Sequence, residues 1–431
     1  MDLTILGIFL VATLIVGLSY GRQVKTIQDY ALGGQNFSTY TLVATIIATF
    51  ASGSGFFIHT QNTYMKGFYH MTPFLGVPVE LWLQGRLAIR MGEFMNHVSI
   101  AEAMGSMYGK TVQLITAFSS ILARVGYIAI QFKIIAKVIV MLFGINSELA
   151  TMIATSIVIL YSAFGGIKSV TFTDVLQFFT FGTVLPILAL VMWRSIKNPA
   201  EAVGTLTSNS AFDFQQLTSW NVTSLSILGL FLYYATPTMQ PELFQRISMA
   251  KDVRQARRVL TYSAGGLLLV YLIAYWIGML ILVDNPGLEK TEVVPYMVKQ
   301  YTSSGLLGLL GAGIVAMAMS TADSSLNSIS VMFAHDFVRP LTGQKESSVM
   351  HARLFSVVAG SSALFMALYN QDLLKLVLLS VAFYKPIFVI PFLMAVLGFR
   401  TSSRAVLLSM VAGAITVAIC QTFFTAVPSV I

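Results

Sequence analysis

The residues in this sequence best suited to chemistry are oxygen donors set inside apolar runs. The stretch Ala318-Met319-Ser320-Thr321-Ala322-Asp323-Ser324-Ser325 puts one carboxylate and four hydroxyls into otherwise hydrocarbon surroundings. An ionisable side chain at membrane depth is costly and marks function by default. Asp174, within Val170-Thr171-Phe172-Thr173-Asp174-Val175-Leu176-Gln177, is a second such carboxylate. It reads either as a helix N-terminal cap, where a negative charge suits the dipole, or as an ion ligand. A third stretch, Ala48-Thr49-Phe50-Ala51-Ser52-Gly53-Ser54-Gly55, is small and glycine-rich in mid-span. Residues of that kind either let helices pack closely or mark a break whose carbonyls and dipole ends hold ions and solutes. Hydroxyl, carboxylate and carbonyl oxygens together suit a small hard cation, not a soft metal. Cys420 is the single cysteine, and His59, His70, His97, His335 and His351 are scattered near predicted helix ends. The spans carry no nucleophile–base–acid set and no two histidines four apart, so the expectation is not an enzyme.

These donors need a membrane-spanning scaffold to hold them. The chain has 431 residues, 56% hydrophobic and only 10% charged, with a mean hydropathy of +0.77; soluble domains carry about 25% charged residues. A bilayer core of about 30 Å takes about 20 apolar helical residues. That window predicts twelve spans, at 2–20, 38–58, 70–89, 112–143, 148–165, 170–194, 221–240, 259–283, 304–334, 352–370, 373–398 and 404–426. The first apolar run, Leu3 to Leu18, has no basic region before it and no small-residue cleavage site after it. It therefore reads as a spanning helix and not as a signal peptide. Of the 26 Lys and Arg residues, sixteen fall on one side, including Arg86, Arg90 and the run Arg246, Lys251, Arg254, Arg257 and Arg258. Six fall on the other: Lys66, Arg194, Lys197, Lys290, Lys299 and Lys375. The positive-inside rule then makes the 241–258 loop cytoplasmic and turns both termini outward. The net charge of +8 is thus topological, and nucleic acid is not an expected partner. Arg124, Lys133, Lys137 and Lys385 remain inside spans. Lys385, in mid-span, reads as a cation substitute, as an ion-pair partner of Asp323 or Asp174, or as a snorkelling side chain. A Glu80–Arg124 pair is a further expectation.

Several segments, in order, resemble the sodium:solute symporter family, which includes proline, pantothenate and sugar symporters. They are Leu32-Gly33-Gly34-Gln35; Tyr161-Ser162-Ala163-Phe164-Gly165-Gly166 followed by Thr173-Asp174-Val175-Leu176-Gln177; Gln240-Pro241-Glu242-Leu243-Phe244-Gln245-Arg246 with Ala256-Arg257-Arg258; and Met319 to Leu326 followed by His335-Asp336. The resemblance implies an all-α integral membrane protein of about 12 transmembrane helices, multi-pass in the cell (inner or plasma) membrane. Its core would be a five-plus-five inverted-repeat transporter with a broken first core helix. Repeat one would cover 38–194 and repeat two 221–398, with 2–20 as a leading and 404–426 as a trailing transmembrane helix.

The resemblance further implies a sodium site from the carbonyls of Ala48 and Ala51 and the hydroxyls of Ser320 and Thr321. A further site would use Asp174, Ser320, Asp323 and Ser324. Lys385 departs from the family pattern and suggests altered sodium dependence, with a proton as the alternative coupling ion. A small organic solute would bind between spans 38–58 and 221–240, with Ser52, Gly53, Tyr233, Tyr234 and Gln240 as candidate contacts. The implied function is sodium-coupled symport by alternating access, with an amino acid such as proline favoured. The alternative is a transporter-like solute sensor or a degenerate paralogue.

Overall fold

Hydrophobic pattern and punctuation divide the chain into long apolar helices and a few short ones. The computed structural model describes residues 1–21, 24–144, 146–369 and 384–423. Helix α1 spans Asp2–Ser19, and the first core span is a bent pair, α2 (Thr39–Phe50) and α3 (Gly53–Lys66). Next come α4 (Phe68–Phe74), α5 (Gly76–Leu87), α6 (Lys110–Phe143) and α7 (Ser147–Ser195). Two shorter helices, α8 (Val222–Ala235) and α9 (Pro241–Ser248), follow on either side of a break. Helices α10 (Val253–Asp284), α11 (Leu306–Met332), α12 (Val349–Tyr369), α13 (Ile390–Val396) and α14 (Ser403–Phe423) follow.

Among the described residues, seven helices are long and apolar enough to cross a membrane, or eight if the bent pair counts as one span. The other predicted spans are present in pieces. The fifth and sixth run together as α7 and are divided inside it at Gly166. There φ is +61°, and a Cβ would stand 3.0 Å from the Tyr30 ring, so only glycine fits. The third is split between α4 and α5; the seventh is α8 followed by a break, and α9, expected as cytoplasmic loop, is a buried helix. The first part of the eleventh, residues 373–383 with Lys375, lies outside the described residues.

Helix α11 is the axis of the bundle. It packs on α6, α7, α2, α3 and α12 and is buried continuously from Leu310 to Met332. A helix enclosed on all sides must satisfy whatever polar groups it carries from its neighbours. Its Ala318–Ser325 stretch is continuous α-helix. The breaks lie opposite that stretch. Between α2 and α3 the axis turns by 59°, Ala51 leaves helical geometry, and Ser52 caps the new helix by accepting from the Gly55 amide at 3.0 Å. Gly53 allows the close approach, since a Cβ there would come within 2.7 Å of the Ala318 Cβ.

The break between α8 and α9 is a second one that the sequence reading did not single out. Pro237 cannot donate a backbone bond and Pro241 starts α9 at a position that favours proline. Met239 between them takes φ +45°. The freed Thr238 amide is recovered by Glu80, whose Oε1 accepts from it at 2.8 Å and also from the Thr238 hydroxyl.

Candidate functional site

The break in α2–α3 and the polar face of α11 meet in a cluster of hard oxygens. The Ser320 hydroxyl donates to the Ala48 carbonyl at 2.7 Å, and the Thr321 hydroxyl to the Thr49 carbonyl at 3.0 Å. Both hydroxyls also lie 3.0–3.1 Å from the Met317 carbonyl one turn back on α11. Ala48, Ser320 and Thr321 are therefore brought together as expected, and Thr49 joins them. Ala51 is the residue that ends α2, fully buried at the turn.

One turn further along α11 is a buried charge cluster. Asp174 accepts from the Thr45 hydroxyl and pairs with Arg246, Nη2 to Oδ2, at 3.3 Å. Arg246 also donates to the Ser324 hydroxyl at 2.6 Å, and Ser324 shares a 2.9 Å bond with Thr49. Asp323 accepts from the Tyr161 hydroxyl at 2.5 Å and from Thr173 at 3.4 Å. Among the described residues, Oδ1 of Asp174 and Oδ1 of Asp323 are buried without a hydrogen-bond partner. Two carboxylates facing one guanidinium leave an uncompensated negative charge, and orphaned buried oxygens require an ion, a proton or water. The donor chemistry of both clusters thus fits a sodium ion.

Three sequence expectations are corrected here. Asp174 is not a solvent-facing helix cap; it is fully buried and ion-paired. Its partner is Arg246, which is 1% exposed and belongs to the core, not to the basic cytoplasmic run. Arg124 pairs not with Glu80 but with Glu242, at 3.2 Å. The histidines are also less scattered than their numbering suggests, since His59 and His70 share a 3.2 Å bond inside an aromatic cluster. Among the described residues no group of three metal-ligating side chains forms.

Beside the oxygen cluster is a cavity of about 300 Å³. Thr49 and Ser52 line one wall, Tyr233, Tyr234, Thr238 and Gln240 another, and Glu80, Arg124, Tyr127, Tyr271 and Lys385 much of the rest. Of the candidate contacts, Ser52, Tyr233, Tyr234 and Gln240 face this space, while Gly53 backs onto Ala318. Lys385 lies in the cavity wall, its ammonium 3.2 Å from the Tyr233 carbonyl and 3.6 Å above that ring. Its contacts are thus with Tyr233, while Arg246 is the cation beside Asp174. Thr45, Thr49 and Arg246 were missed by the sequence reading. The signal for the first two was present: hydroxyls four apart share one helix face.

Comparison with known proteins places this geometry in context. The profile of the sodium:solute symporter family matches residues 30–413. The sodium/sialic acid symporter SiaT of Proteus mirabilis is 23% identical over 82% of this chain and 74% of its own length. The sodium/proline symporter of Haemophilus influenzae is 23% identical over 95% and 86%, and the human high affinity choline transporter 1 is 23% identical over 86% and 68%. A solved substrate-bound, outward-open Na+-coupled sialic acid symporter superposes with a TM-score of 0.78 at 20% identity, covering 97% of this chain and 98% of that one.

Proposed function

The chain belongs to the sodium:solute symporter family, and from that membership we propose that it carries a small organic solute across the cell membrane by sodium-coupled alternating access. The observation that carries the reading is the contact of Ser320 and Thr321 with the carbonyls of Ala48 and Thr49 at the helix break. Bound among those oxygens, sodium supplies the positive charge that holds α2–α3 against α11. Thr49 reaches both sides of this arrangement, because it accepts from Thr321 and also lines the cavity. Order imposed on the break by one ligand is order the other no longer has to impose, so the two bind cooperatively and reciprocally. Asp174, Asp323, Ser320 and Ser324 form the second cation position, taken by sodium or a proton, with Arg246 bearing part of the opposing charge. Rocking of one helix bundle against the other opens the cavity to the two faces in turn.

The relatives named for sialic acid, proline and choline leave the cargo open among small polar organics; an amino acid is favoured here. Uptake into proteoliposomes under an imposed sodium gradient tests the reading. Accumulation must require sodium and must stop when the gradient is dissipated by an ionophore. Equal uptake with potassium on both sides refutes it.

A further inference from the structure

The cavity wall carries two opposite charges that are not paired with each other. Among the described residues, Lys385 contacts the carbonyl and ring of Tyr233 and no carboxylate. Glu80, only 4% exposed, lies in the same cavity wall. Yet the ion pairs among the described residues are Arg124–Glu242, Arg246–Asp174, His335–Glu102 and Arg400–Glu93. Every hydrogen bond described for Glu80, from the Thr238 amide and hydroxyl and from Gln84, runs to Oε1. The other charges on the wall, Arg124 and Glu242, neutralise one another. What remains is one positive and one negative point in a small chamber walled by Phe74, Tyr127, Tyr233 and Tyr271.

Resting on the symporter reading above, we propose that the solute is a small zwitterion, its carboxylate taken by the Lys385 ammonium and its cationic nitrogen by the Glu80 carboxylate and the neighbouring tyrosine rings. Each alternative leaves a charge unanswered. An anion answers Lys385 and meets Glu80 as a like charge; a cation does the reverse. A neutral polyol strips water from both charges and gives neither a counter-ion, which is costly. Tyrosine faces add a cation–π attraction for a primary or quaternary ammonium. The volume of about 300 Å³ sits at the small end of ligand pockets.

The test is thermal stability of the full chain in lipid nanodiscs, with sodium, against four sets of probes. They are zwitterions (the common amino acids and glycine betaine), amino-acid amides as cations, N-acetyl amino acids as anions, and monosaccharides as neutral solutes. A zwitterion is expected to stabilise, and its amide and its N-acetyl form to bind about tenfold to hundredfold more weakly, the loss of a charged contact. Lys385→Gln is expected to lose that discrimination against the amide while keeping the shift caused by sodium alone, and Lys385→Arg to retain it. Glu80→Gln, which can still accept from the Thr238 amide, is expected to relax discrimination against the N-acetyl form. A panel in which no zwitterion stabilises overturns the proposal, as does a Lys385→Gln chain that discriminates like the parent. Loss of the sodium shift in the parent chain would instead refute the symporter reading, so the two failures are distinguishable.

Discussion

Replacing Ser320 by alanine separates the ion role of the hydroxyl from its structural role. Without sodium, the substitution removes bonds to the Ala48 and Met317 carbonyls, a loss of about 1 kcal/mol. With sodium it also removes a ligand, and a contact to a charge is worth about 2 kcal/mol, or about thirtyfold in affinity. At a sodium concentration about a hundredfold above the dissociation constant, binding stabilises the parent by about 2.7 kcal/mol. The same concentration is then only about threefold above that of Ser320→Ala, and the stabilisation falls to about 0.9 kcal/mol. The assay is thermal unfolding of purified protein over a sodium titration at constant ionic strength with a potassium salt. Ser328→Ala serves as control, because Ser328 is buried on the same helix but bonds only its own helix, at the Ser325 carbonyl. A Ser320→Ala chain whose sodium-dependent shift equals that of the parent refutes the argument, however much its sodium-free stability has changed.

Further expectations come from other contacts. Asp174→Asn breaks the direct Arg246 pair in the core and should cost about 3–5 kcal/mol, less to the extent that Asp323 takes over as counter-charge, whereas Asp174→Leu with Arg246→Met should recover much of it; denaturation in detergent measures both. Equal stability of the single and double variants would mean that Arg246 finds another counter-charge. Gly53→Ala forces a Cβ against Ala318 and should cost about 1–3 kcal/mol by overpacking. Adding Ala318→Gly should return part of that loss, and no recovery would place the strain elsewhere. Arg254→Cys in a Cys420→Ser background should react with an impermeant maleimide only from the cytoplasmic face; labelling of intact cells would invert the topology.

The scaffold was legible because a bilayer leaves little choice. Backbone groups must be satisfied within a helix, so each apolar run of sufficient length declares itself, and the basic residues declare its direction. The broken first span was expected from the family resemblance; Gly53, Ser54 and Gly55 by themselves suited close packing equally, and the structure breaks at Ala51 and Ser52, just before them. The second break was less visible. Pro237 and Pro241 fall between a predicted span and a predicted loop, and only Glu80, far away in sequence, reveals that the Thr238 amide needed a partner at depth. Arg246 was misplaced because a charge count assigns every arginine between spans to water. Its neighbours Pro241 to Ser248 form a helix buried along its whole length, and nothing in a local window predicts that Asp174 is waiting there.

That misplacement bears on the mechanism itself. Two buried carboxylates attract a cation more strongly than one carboxylate whose partner is already paired with an arginine. Arg246 removes part of that attraction by pairing with Asp174, yet Oδ1 of Asp174 and Oδ1 of Asp323 still lack partners. In the proposed mechanism, those oxygens are where one monovalent ion or one proton would be held. Because Arg246 rides on α9, directly after the second break, and Thr49 stands beside the first, any rearrangement of either break changes the charge felt by the ion. In the symport mechanism proposed above, the coupling would lie in the breaks: the same short unwound segments line the cavity and carry groups that would set the affinity for the cation.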